Sequence, residues 1–73
     1  MAFQLVLVTD SEITVWHTDL GHIYGFAVDG AGTGLVTRFT REVPDAERPA
    51  ALHQDEALHY AIDLARDRRL IAR

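Results

Sequence analysis

Four runs rich in β-branched and aromatic residues fill the first 41 positions, separated by gaps of only three, three and six residues. The runs are residues 3–9 (FQLVLVT), 13–18 (ITVWHT), 22–28 (HIYGFAV) and 35–41 (LVTRFTR). A parallel crossover needs about a dozen residues or more, so connections this short leave antiparallel hairpins. The pattern predicts a four-stranded antiparallel meander, or a three-stranded one if one run stays unpaired. Past residue 41 the period changes. Pro44 and Pro49 mark residues 42–50 as a connecting loop. From about 51 to 69 a helix is predicted, because steps of about 100° gather Gln54, Ala57, Leu58, Ala61, Ile62, Leu64 and Ala65 on one face. The expected class is α+β: a meander followed by one C-terminal helix packed on one sheet face.

Seventy-three residues allow one small domain, spanning 1–73. A chain this short buries only about 60% of the surface its unfolded form exposes, so its core is thin. Cysteine and lysine are both absent, and Ser11 is the only serine. That removes thiol chemistry, thiolate-bound zinc, Schiff bases and the phosphate-loop lysine. An enzyme is not expected, and neither is a cofactor.

One helix covers one face of a sheet. The other face must keep apolar or aromatic side chains whichever way the strands turn, and such a surplus favours docking on a partner or on a second copy. Trp16, Tyr24 and Arg38 are the candidate anchors, since aromatic and Arg side chains dominate interface energies. Asp10, Glu12 and Asp19 are expected at the rim. Which strand faces meet the helix is not decided by the pattern.

Charge narrows the partner. The formal net charge is -4, and residues 1–47 hold seven acids against two Arg. An acidic body repels phosphate backbones, so nucleic acid is not expected as a direct high-affinity target. The basic end, with Arg66, Arg68, Arg69 and Arg73, is the feature that a nucleic-acid-binding alternative would use. The apolar start of the chain has no basic residues before it and is too short to span a bilayer. No membrane association and a cytoplasmic location are expected.

Three patterns invite chemistry. Gly30, Gly32 and Gly34 form G-x-G-x-G, but the run feeds a strand and not a helix, so positive-φ turn residues explain it better than a phosphate cradle. His17 and His22 flank a four-residue turn and are the pair that would hold a metal; with His53 and His59 distant in sequence, no metal site is predicted. Asp55, His59, Asp63 and Arg66 line one helix stripe and read as a solvated face laced with ion pairs.

These observations converge on a small acidic, non-enzymatic regulator. Its partner would be a larger protein or complex with a basic surface, for instance a host nucleic-acid-processing enzyme such as RNA polymerase. In size, acidity and lack of catalytic inventory the chain resembles small phage-encoded regulators, a resemblance of type that no motif carries. The alternatives are a nucleic-acid-binding sheet domain and a homodimeric subunit with a histidine-based metal site.

Overall fold

The computed structural model describes residues 2–71, so Arg73 lies outside the described residues. Four strands, β1 (Phe3–Val8), β2 (Glu12–His17), β3 (Ile23–Val28) and β4 (Leu35–Arg41), form one antiparallel sheet in the order β1-β2-β3-β4. A short 3-10 helix, Ala50–His53, then leads directly into α1 (Gln54–Asp67). This is the meander-plus-helix architecture that the short gaps and the change of period predict.

Register decides which residues meet the helix. Val15 pairs with Phe3's neighbour-but-one Leu5 on one side and with Tyr24 on the other, and Ile13 pairs with Val8 and Phe26. Ile13, Val15, His17, Tyr24 and Phe26 are all buried on the helix side. Each outer strand carries one extra residue. On β1, Leu5 faces Val15 but Leu7 already faces Thr14, so Val6 is supernumerary. On β4, Phe39 faces Gly25 and Thr37 faces Phe26, so Arg38 is the extra residue. Each bulge turns two successive side chains to the same face.

The helix meets the sheet through Ala57, Ala61 and Ala65, one turn apart and fully buried. Methyl groups at this spacing let the helix axis approach closely while Leu58, Ile62 and Leu64 flank it. Asp55 and Glu56 in the first turn and Arg66 in the last suit the helix dipole. The helix stops where Arg69 takes the left-handed conformation at φ 61°, and the Leu70 amide donates back to the Ala65 carbonyl at 2.8 Å. That six-to-one bond is the Schellman closure, which drops Ile71 onto the core.

Candidate functional site

The face of the sheet turned away from α1 is uncovered. Along β2 it presents Glu12, Thr14 and Trp16, and across the ladders these meet Ala27, Gly25 and Ile23 of β3. The bulges add Val6 and Leu7 from β1 and Arg38 with Phe39 from β4, while Val36 faces Ala27. Val6, Leu7, Trp16, Val36 and Phe39 are each between 36% and 54% exposed, which places five large apolar side chains in water on one surface. At its centre the Phe39 ring lies on Gly25. A Cβ at Gly25 would fall within that ring, so the close approach requires glycine here.

Polar groups on this face are few. The Arg38 guanidinium lies 3.3 Å from Glu12, bridging β4 and β2 across Ala27's strand, and both partners are solvated. A pair this exposed contributes at most about 1 kcal/mol to stability. Arg41, opposite Ile23, stands at the other end of the face and forms no ion pair among the described residues.

The residues expected to form the docking surface therefore divide. Trp16, Arg38 and Glu12 share the open face, and exposed Asp10 sits in the turn beside Glu12. Asp19 lies at the far end, in the β2–β3 turn, and belongs to a cleft on the helix side. Tyr24 needs correction as an anchor. It faces the helix, is 0% exposed, and its hydroxyl donates to the Ala50 carbonyl at 2.7 Å. Burial, and next the charges of Glu42 and Glu56, hold that hydroxyl above the usual phenol range, so it stays protonated. Such a side chain cannot reach a partner.

His17 and His22 are the pair that would hold a metal, and the structure gives their rings other partners. They do sit across the turn, with the His17 amide donating to the His22 carbonyl at 2.8 Å. Each imidazole, however, spends its Nδ1 lone pair on a backbone amide: His22 accepts from Val43 at 3.0 Å and His17 from Leu20 at 3.1 Å. His22 is then protonated at Nε2 and donates to the Arg48 carbonyl at 2.7 Å. Both of its ring nitrogens are occupied in stapling the 42–50 loop to the sheet. Among the described residues, no group of three or more potential metal ligands comes together.

The glycine loop is likewise self-satisfied. Asp29 Oδ1 accepts from the amides of Ala31 at 3.1 Å and Thr33 at 3.0 Å, and these backbone bonds hold its carboxyl below the usual range. Two amides of the loop thus already hold a carboxylate of the same chain, and that of Gly32 donates to the Asp29 carbonyl at 3.1 Å.

One cluster escaped the sequence reading. The ring of His53, remote in sequence, lies 4.8 Å from that of His17, centroid to centroid. Its Nδ1 donates to Glu56 at 2.6 Å, and its buried Nε2 has no hydrogen-bond partner. Both rings border a cleft of about 350 Å³ that Asp19, Glu47 and Arg48 also line. A carboxylate-oriented imidazole is an acid–base arrangement. Among the described residues no hydroxyl or thiol side chain lines the cleft. The i,i+3 spacing of His53 and Glu56 was the available signal; the proximity of His17 was not, because it depends on the path of the loop.

This chain matches no protein-family model, no curated protein and no solved structure. Among the described residues no helix is long and apolar enough to cross a membrane.

Proposed function

We propose that the chain is a non-enzymatic protein-binding module that docks through the open face of its sheet onto a larger protein. The observation that carries this reading is the set of five half-exposed apolar side chains, Val6, Leu7, Trp16, Val36 and Phe39, on one face of the sheet. Large exposed apolar patches on small domains mark interaction sites. Trp16 is the natural anchor at one end of the face and Arg38, next to Glu12, the second anchor toward the other, and the remaining contacts exclude water around them. Glu12, Arg38 and Arg41 are the charged residues of the face, so the acidic excess of a chain with net charge -4 lies around and behind it. A partner of matching chemistry has an apolar patch within a basic surrounding, where the acidic excess speeds encounter. A nucleic-acid-processing enzyme of the host, RNA polymerase included, offers surfaces of that kind.

The test is capture from the native host, identification of the retained protein, and titration of that purified protein with defined variants. Trp16→Ala and Val36→Glu should each weaken binding by about 30-fold or more, which corresponds to about 2 kcal/mol, and leave the chain folded. Normal binding by both, with binding abolished when Arg66, Arg68 and Arg69 are neutralised, would move the site to the helix end and sink the proposal.

A further inference from the structure

Before any partner arrives, the open face stands in water, and its own geometry suggests what covers it. We infer that the free chain pairs with a second copy of itself, open face to open face, as a two-fold dimer that a docking partner must displace.

Size is the first argument. Four strands about 4.8 Å apart, each six residues long at about 3.3 Å per residue, make a face roughly 20 Å on a side. With side chains and rim included, covering it removes on the order of 600 Å² of accessible surface per copy, the lower end of stable specific interfaces. Two sheets stack about 10 Å apart with their inner side chains interdigitated. The dimer is thus a four-layer body with a helix on each outside.

Charge is the second argument. Along the strand direction the face is dipolar. Glu12 stands at the β1–β2 turn end with Asp10 next to it, and Arg41 stands at the opposite end. A two-fold axis in the interface, perpendicular to the strands, reverses the second copy and lays the acidic end of one over Arg41 of the other. An isologous interface needs this self-complementarity. Arg38 already lies 3.3 Å from Glu12, so Asp10 is the acid at that end that meets Arg41 of the second copy, and the rest of the face carries apolar side chains with Thr14 and Gln4.

The inference shares its surface with the docking proposal but is tested on the chain alone, so the two fail separately. Sedimentation equilibrium from about 5 to about 500 µM should show a monomer–dimer equilibrium, a range that brackets a modest interface. Over the same range the emission of Trp16, the single tryptophan, should shift to the blue as its exposed edge is covered. Leu7→Glu and Val36→Glu, each checked for a folded circular-dichroism spectrum, should both weaken dimerisation at least tenfold. Leu52→Glu, at an exposed apolar residue on the helix side, should leave it unchanged. A chain that remains monomeric at the highest concentration overturns the inference. So does a dimer that survives both open-face variants when folded, or one that is lost in the Leu52 variant alone. Monomeric behaviour with tight capture of a partner would leave the docking proposal intact.

Discussion

Trp16 and Tyr24 lie on neighbouring strands one step out of phase: Trp16 pairs with Ile23 and Tyr24 with Val15, so the two rings point to opposite faces of the sheet. One ring is 36% exposed and the other fully buried. The same pair of residue types therefore serves two different ends, surface chemistry for Trp16 and core packing for Tyr24.

Substitution should separate those ends. Tyr24→Phe removes the hydroxyl that donates to Ala50 and leaves a buried carbonyl without its partner. We expect a loss of about 1–3 kcal/mol in urea unfolding, with partner affinity unchanged once the protein is folded. Trp16→Ala should do the reverse. A Tyr24→Phe protein of full stability would show that the 3-10 segment is not held through this bond.

Gly25 and Phe39 form a second testable couple. Gly25→Ala pushes a methyl group into the Phe39 ring, which must swing off the sheet; the expected cost is about 1–3 kcal/mol, typical of overpacking. In a Phe39→Ala background the same change should cost much less. Chemical denaturation of the four proteins of this cycle measures the coupling, and additive effects would rule out the ring as the cause.

How much of this was legible in the sequence follows from what each feature depends on. Gap lengths between strand runs are local, and they were enough for the strand order and the antiparallel sense. The helical face was readable too, since Ala57, Ala61 and Ala65 recur at helical spacing. Strand faces were not, because Val6 and Arg38 each break the period of two within their own run. Simple alternation along β4 would put Arg38 and Phe39 on opposite sides, and only the pairing with Gly25 reveals the extra residue. Tyr24 looked like a surface anchor because alternation within β3 does not say which of its sides meets the helix, and only the pairing with buried Val15 decides it. The His17–His53 approach joins residues 36 positions apart through an irregular loop, and no periodicity reports on such a contact.

Acid should weaken the β3–β4 hairpin through Asp29. Its carboxyl is held below the unfolded value by backbone amides, so its contribution is present above the unfolded carboxyl range, about pH 4, and is lost as pH falls through the lower folded value. Asp29→Asn should accordingly be less stable than the parent at pH 7, with the gap closing near pH 2. Urea midpoints for both proteins across that range provide the check. A gap independent of pH would assign the effect to geometry and not to charge.

Arg69 offers a gain. A side chain other than glycine at φ 61° is strained by about 1–2 kcal/mol, and part of the relief on Arg69→Gly is offset by the added freedom of the unfolded chain. The expected net is a stabilisation of about 0.5–1 kcal/mol, readable as a higher thermal midpoint. A destabilised variant would mean that the Arg69 side chain makes an interaction stronger than its backbone strain.

The two bulges have a consequence for the chain's solubility. Both outer strands, β1 and β4, are interrupted midway, at Val6 and at Arg38. A strand arriving from another molecule can therefore extend neither edge by a continuous run of backbone hydrogen bonds, and Arg38 adds a charge at one of those breaks. Growth sideways into an endless ribbon is blocked at both borders. Association is left to the flat side of the sheet, where one encounter uses up the surface and the assembly stops.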